Sequence, residues 1–322
     1  MKVLIVKTSS MGDVLHTLPA LTDAMLKLPG IRFDWVVEEN FAQIPGWHPA
    51  VDDVLPVAIR RWRKNWFSGC VRREWKAFKR QLQFKRYDRI VDAQGLIKSA
   101  VLVTRLARGE KHGPGFYSAR EPLSSWWYDK RHKIDEYQHA VERTRVLFAS
   151  SLGYQKPVTA GDYAIAPYFR SHFPAQRGNY LVFLHATTRD SKHWPEDRWR
   201  QLIAIMADWG MTIKLLWGEV HEHERALRLA QDFTYVDVMP KLSLERVACL
   251  LAGARAVVSV DTGLSHLAAA LDRPNLTLYG PTDPELIGGY GHHQYVIRPA
   301  EGHAMADITA HHVAAQLSEV IR

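Results

Sequence analysis

The sequence predicts an α/β protein built from two Rossmann-like, doubly wound domains, and three observations carry that prediction. Both halves alternate short apolar runs with amphipathic stretches, the βαβ rhythm of a parallel sheet. The 322 residues are about twice a typical domain of roughly 150 residues. Between Gly153 and Gly178 the periodicity fades into a stretch with Pro157, Gly161, Pro167 and Pro174, which reads as a linker. The expected division is a first domain over 1–156, a linker over 157–178 and a second domain over 179–322, whose C-terminal helix could pack back on the first. The simplest arrangement of two such sheets faces them across one cleft, because they bind ligands at the carboxyl ends of their strands.

Taken in order, KVLIVK reads as a strand, Val14 to Lys27 as a helix, and FDWVVE and DRIVDA as further strands. Helical patterns cover Gly95 to Arg108 and Asp135 to Leu152. In the second half YLVFLHA is a strand followed by a helix opening near Pro195. MTIKLLW is a strand followed by a helix from about Glu219. A short strand near Tyr235, a helix over Leu244 to Ala252, strand AVVSV, the helix of DTGLSHLAAAL and strand NLTLYG complete the series. No sequence repeat relates the halves.

Composition narrows the class. Hydrophobic residues make up 47% and charged residues 24%, a balance that buries sizeable cores and excludes disorder. The opening MKVLIVKTSSMGD has no signal-like apolar core, because the hydrophobic run stops at Val6. No apolar run approaches the roughly 20 residues of a membrane helix. An intracellular, non-spanning protein is therefore expected. Cys70 and Cys249 lie far apart without a CxxC pattern, against a disulfide framework or a zinc ribbon.

The net charge of +8 is uneven: residues 1–160 hold 27 Lys and Arg against 16 Asp and Glu, and residues 161–322 hold 15 against 18. Within the first half, residues 60–86 carry 11 basic side chains and the single acid Glu74, with Trp62, Trp66, Phe67 and Trp75 threaded among them. That mixture suits nucleic acid or anionic lipid, while the plainer reading is a solvated helix. An excess of ten charges points to a phosphorylated, polyanionic partner.

Four strand-to-helix junctions could carry chemistry. The first loop, Thr8-Ser9-Ser10-Met11-Gly12-Asp13, has one glycine, so neither GxGxxG nor GxxxxGK[ST] is present. Nicotinamide and P-loop chemistry are disfavoured. Asp13 serves either the helix dipole or as a base; Lys7 and His16 have similar plain alternatives. His185-Ala186-Thr187-Thr188-Arg189-Asp190-Ser191-Lys192 offers hydroxyls and cations of the kind a diphosphate needs, or is a solvated loop. Ser259-Val260-Asp261-Thr262-Gly263-Leu264-Ser265-His266 leads a strand into a helix whose N–H groups can face an anion, with Gly263 clearing space for it. Asp261 could equally cap that helix, and His266 could be a satisfied core histidine. In Trp217-Gly218-Glu219-Val220-His221-Glu222-His223-Glu224, Glu222 could hold ribose hydroxyls. Consecutive helical positions point around the cylinder, so the His and Glu run is a poor metal site.

KTSSMGDVLHTLPALTDA, VDAQGLIKSA, FLHATTRDSKHWPE, VVSVDTGLSHLAAALDRP and LYGPTDP together resemble the bacterial ADP-heptose:lipopolysaccharide heptosyltransferases over nearly the whole chain. The HATTRDSKHWP form is similar to the members that add the first heptose rather than the second. The resemblance implies a GT-B fold and an inverting, metal-independent transfer of L-glycero-D-manno-heptose from ADP-heptose to a Kdo of Kdo2-lipid A. It implies no cofactor, since ADP-heptose is a substrate, and a peripheral position on the anionic cytoplasmic face of the inner membrane, with no nucleic acid as partner. By position, Asp13 would be the general base. Thr187, Thr188, Lys192, Glu222, Asp261, Thr262, Gly263, Leu264 and His266 would line the donor site. Leu242, where relatives are expected to have methionine, would pack on adenine. Arg60, Arg61, Arg63, Lys64 and Arg120, with Lys7, Ser10 and Gly12, would meet the acceptor. Two other classes compete: a nucleotide-sugar epimerase of similar fold, which would need no basic patch, and a non-enzymatic nucleic-acid binder, which would need no second nucleotide-type helix start.

Overall fold

A computed structural model describes residues 1–173 and 178–321; Pro174, part of the expected linker, lies outside the described residues. The chain divides into two compact units after Ala164, inside the stretch read as a linker. That stretch also holds a helix, Ala166–His172, which packs on helix Leu244–Gly253 of the second unit.

The first unit is a six-stranded parallel sheet of β1 (Lys2–Val6), β2 (Arg32–Glu38), β3 (Val51–Val57), β4 (Arg86–Asp92), β5 (Arg108–Pro114) and β6 (Lys130–His132), in the order β3-β2-β1-β4-β5-β6. Leu4, Val6, Val36, Leu55, Val57 and Ile90 from the sheet join Trp62, Phe78 and Leu82 from the covering helices in one buried core. The apolar runs of β1, β2 and β4 follow from burial on both faces, which removes the alternation of a half-exposed strand. The expected helix over 14–27 is two, Met11–Leu15 and Leu18–Lys27. Pro19 stands in the first turn of the second, where its missing N–H costs no internal hydrogen bond. The pattern read as a helix from Gly95 to Arg108 forms Ile97–Leu102 and a 3₁₀ turn, and Arg108 already begins β5.

The second unit repeats the plan with β7 (Tyr180–Leu184), β8 (Thr212–Leu215), β9 (Val236–Val238), β10 (Ala256–Val260), β11 (Asn275–Leu278) and β12 (Gln294–Ile297), ordered β12-β11-β10-β7-β8-β9. Every ladder is parallel. The C-terminal helix Ala310–Val320 packs on helix Glu196–Ile205 and buries Val313, Ala314 and Leu317, so its apolar face is spent within the second unit. In each sheet the chain reverses direction of growth between its first and fourth strands, and an open α/β sheet binds ligands at the carboxyl end of such a switch point.

Candidate active site

In the first unit the switch point lies between β1 and β4, and the loop after β1 carries Lys7, Ser10, Gly12 and Asp13. Asp13 sits in the first turn of helix Met11–Leu15, where its Oδ2 accepts hydrogen bonds from the Ser10 N–H at 2.7 Å and the Ser10 hydroxyl at 3.0 Å. Both readings of Asp13 thus fall on one carboxylate, whose Oδ2 caps the helix. Its Oδ1 lies 3.8 Å from the Lys7 Nζ, and the side chain keeps 35% of its exposure. Burial, the largest influence, pushes the Asp13 carboxyl up. Lys7, the two Ser10 hydrogen bonds and Arg120 outweigh it and hold the group below the usual carboxylate range. Asp13 is therefore an anion at neutral pH, and its Oδ1 takes no part in the Ser10 hydrogen bonds.

The loop that presents Asp13 is held from β4. Buried Asp92 takes the N–H groups of Gln94 and Gly95 and the hydroxyl of Thr104 at 2.6 Å. Gln94 then turns its Oε1 to the Thr8 and Ser9 N–H groups at 2.8 and 3.1 Å. Lys7 Nζ donates to the Ala93 carbonyl at 2.9 Å. Sequence reasoning did not single out Asp92 and Gln94; their signal was the polar pair closing an apolar strand in VDAQG.

The basic residues fall on two helices, Ile59–Lys64 and Gly69–Phe84. Arg60, Arg63 and Lys64 are exposed. Arg61 differs, because its guanidinium pairs with Glu39 at 3.1 Å and Glu74 at 2.9 Å. Its charge is already matched, so the acceptor role expected for it is weaker than for its neighbours. Arg120 is exposed on the loop after β5.

In the second unit the switch point lies between β7 and β10. Thr187 donates its hydroxyl to the Asp261 carbonyl at 3.0 Å, tying the loop after β7 to the loop after β10. Lys192, in the turn Asp190–Lys192, places its Nζ 2.5 Å from the Asp261 Oδ2, and both side chains are largely buried. Sequence reading gave these two residues separate tasks; the fold makes them one pair, with Asp261 fixing the ammonium. Thr262 then stands at the N-cap of helix Gly263–Ala270 without a side-chain capping bond, so the helix's free N–H groups and dipole favour an anion at its start. Gly263 and Leu264 are half-buried at that start and His266 is buried one turn on, while Thr188 is exposed.

Helix Gly263–Ala270 is pinned from below. Ser265 Oγ meets Ser259 Oγ at 3.0 Å and Thr277 Oγ1 at 2.8 Å, and the Asn275 amide donates to Ser265 Oγ and to Gln294 Oε1 at 3.0 Å. This network joins the helix to β10, β11 and β12. It escaped sequence reasoning, although polar residues inside AVVSV and NLTL were its signal. His185, fully buried, is pushed down to about 3 by burial and by Arg225 and His193, so it is a neutral structural residue.

Glu222 accepts from the Gly218 and Glu219 N–H groups at 2.7 and 3.0 Å through one oxygen, the work of a cap. Leu242 is half-buried in the loop after β9. The nearby Trp217 ring packs on His223 at 4.3 Å, and its Nε1 donates to the Met239 carbonyl at 2.6 Å. Among the described residues no group of three His, Cys, Asp or Glu is placed to hold a metal ion.

Known proteins resemble this chain over nearly its full length. The family model for glycosyltransferase family 9 (heptosyltransferase) matches residues 75–315. The chain is 65% identical to lipopolysaccharide heptosyltransferase 1 of Escherichia coli O18:K1:H7 over 319 residues, covering 99% of this chain and 98% of that one. The solved structure of the E. coli heptosyltransferase WaaC with ADP superposes with a TM-score of 0.97 at 65% identity, over 99% of this chain and 100% of that one. The same enzyme with ADP-2-deoxy-2-fluoro heptose gives 0.93 at 64% identity, over 99% of each chain. The architecture is GT-B, and the chain belongs to glycosyltransferase family 9 as a type I heptosyltransferase of lipopolysaccharide biosynthesis.

Proposed function

We propose that the chain transfers L-glycero-D-manno-heptose from ADP-heptose to the first Kdo of Kdo2-lipid A, with inversion at the anomeric carbon and with neither metal nor cofactor. The observation that carries this reading is the pair of opposite charges at equivalent switch points: a carboxylate held ionised at β1 and an ammonium fixed by Asp261 at β7. Inversion by direct displacement needs these two poles. As the Kdo hydroxyl oxygen bonds to the anomeric carbon, its proton passes to Asp13 Oδ1. The bond from that carbon to the ADP oxygen breaks, and the leaving diphosphate takes the electron pair. Lys192 and the N–H groups opening helix Gly263–Ala270 meet the charge it gains, the task a divalent cation performs elsewhere. A low-pKa carboxylate suits a late proton transfer, because the hydroxyl becomes acidic only as the new bond forms.

The donor is supported by the solved relatives holding ADP and the fluorinated ADP-heptose analogue. Thr187, Thr188 and Leu264 would flank the sugar diphosphate, Glu222 the ribose, and Leu242 with Trp217 the adenine. Arg60, Arg63, Lys64 and Arg120 would meet the acceptor's phosphates and carboxylates. No helix among the described residues is long and apolar enough to cross a membrane; a peripheral place on the cytoplasmic face of the inner membrane agrees with a lipid-linked acceptor.

The test is ADP release from ADP-heptose with and without Kdo2-lipid A. Release that requires the acceptor, persists in EDTA, and yields a product of opposite anomeric configuration by NMR is expected. Acceptor-independent turnover would favour an epimerase, and loss in EDTA restored by magnesium or manganese would remove the metal-free mechanism.

A further inference from the structure

We propose that the groove between Trp66, Phe67 and Trp75 is a membrane-docking site that takes one acyl chain of an anionic phospholipid, while the outer face of helix Gly69–Phe84 holds the headgroups. This rests on the reading of the acceptor as a lipid at a bilayer surface, and it gives docking to residues other than those proposed for the acceptor.

Helix Gly69–Phe84 buries Val71, Phe78 and Leu82 and turns Arg72, Arg73, Lys76, Lys79 and Arg80 outward. Its only acid, Glu74, lies half-exposed on the flank of the helix, where it accepts from the Trp62 indole N–H at 2.6 Å and pairs with Arg61 at 2.9 Å. The outer face is left with cations alone, and among the described residues none of these five is in an ion pair. A face with balanced charge would be an ordinary solvated surface; here the helix's one carboxylate is engaged by Arg61 and Trp62 of the preceding helix.

The groove has a volume of about 300 Å³ and is walled by Trp66, Phe67, Val71 and Trp75, with Arg72 and Lys76 on its rim. It contains no carboxylate. Its walls are held by ring packing, because Trp75 meets Trp66 in a tilted pair with centroids 5.7 Å apart and Trp62 edge-on at 5.9 Å, and Trp62 is buried against Phe78 in the core. Phe67 and Phe84, 85% and 86% exposed, flank the cationic face at opposite ends of the helix. An apolar slot under two cations matches an acyl chain beneath a phosphate, and such helices lie in the interface with their cations at headgroup level. Nucleic acid would stack its bases on flat exposed rings and would leave a slot between rings unfilled.

The experiment is sedimentation of the full chain with vesicles that contain no acceptor, made of phosphatidylcholine alone or with a third phosphatidylglycerol. Binding to the mixed vesicles, and little to the neutral ones, is expected. Phe67→Ser should weaken it about tenfold or more, and Arg72→Gln with Lys76→Gln by about fivefold per charge. Phospholipid brominated on its acyl chains should quench the tryptophan fluorescence of the wild type, and Trp66→Phe should lose much of that quenching. With a chain-free, water-soluble acceptor, Phe67→Ser and the double variant should keep wild-type kcat and KM. Equal binding to both vesicles, no effect of Phe67→Ser, or no quenching would each overturn the proposal. A raised KM for the chain-free acceptor would also overturn it, by assigning the groove to the acceptor site. If transfer to Kdo2-lipid A itself failed, the vesicle result would still decide this point.

Discussion

The loops after β1 and β7 occupy the same place in two sheets of the same strand order, yet they present opposite working charges. After β1 a cation, Lys7, attends a partly exposed carboxylate, Asp13. After β7 a largely buried ammonium, Lys192, is attended by the carboxylate of Asp261, which reaches it from the loop after β10. Strand order decides where a site lies; the sign of the attended group decides what the site can do. In the proposed reaction the carboxylate would accept a proton and the ammonium would receive the leaving anion. The two loops also differ in support. Asp92 and Gln94 hold the first through backbone N–H groups, whereas a side-chain network from Ser259 to Gln294 holds the helix behind the second.

The largest expected effect breaks the first loop. Asp13→Ala should lower kcat by about 10² to 10⁴ while calorimetry shows ADP-heptose binding nearly intact. Asp13→Asn is the sharper variant, since an amide oxygen can still accept from Ser10 and keep the cap. If Asp13→Asn turns over near the wild-type rate, the residue is a cap alone.

Breaking the second loop should cost less and act on the donor. Lys192→Ala should lower kcat/KM for ADP-heptose by about ten- to 150-fold, the worth of a charged hydrogen bond of about 1.5–3 kcal/mol. It also leaves Asp261 largely buried and unpaired, which lowers thermal stability. Adding Asp261→Ala should recover part of the melting temperature but none of the activity. Additive losses of stability would show that the two residues do not act as a pair.

A smaller effect belongs to the cations of the first unit proposed to meet the acceptor. Neutralising Arg60, Arg61, Arg63 and Lys64 together should raise KM for a short-chain Kdo2-lipid A analogue more than KM for ADP-heptose, and should flatten its salt dependence. Because Arg61 is matched by Glu39 and Glu74, Arg61→Ala alone should raise the acceptor KM less than Arg63→Ala. Equal salt slopes for wild type and quadruple variant would return the segment to a solvated surface.

The smallest effect is a shift in pH dependence. In the proposed mechanism the ionised form of Asp13 is the working form, so activity is expected above the group's folded pKa and lost as pH falls through it. Lys7 is the strongest influence holding that pKa down. Lys7→Met should therefore move the acid limb of kcat/KM upward. An unmoved limb would detach the limb from Asp13.

Much of this was legible from residue order alone. Strands β1, β2, β7, β10 and β11 are apolar enough that burial was their only stable fate, and β4 was legible from the apolar run that closes it. The helix starts were written in Pro195, Ser243 and Thr262, and the fold class followed from strand and helix alternation. The motif residues, Asp13, Lys192 and Asp261 among them, were visible because loops after buried strands need a reason to carry charge. Strands β3, β5, β6 and β12 were not legible. β5, RGEKHGP, holds no large apolar residue, and it is a strand because β4 and β6 pair with its backbone on both sides. That pairing is a long-range event to which no local pattern refers. The same limit applies to the site: Asp261 reaching Lys192 across 69 positions, Gln94 holding Thr8 across 86, and Glu74 taking the Trp62 indole N–H of the preceding helix. Sequence by itself determined which groups are present and which segments must be buried, since these depend on side-chain chemistry and near-neighbour spacing. Only the tertiary structure decided which charges are spent on one another and which are left for a substrate, because a charge is cancelled by distance in space.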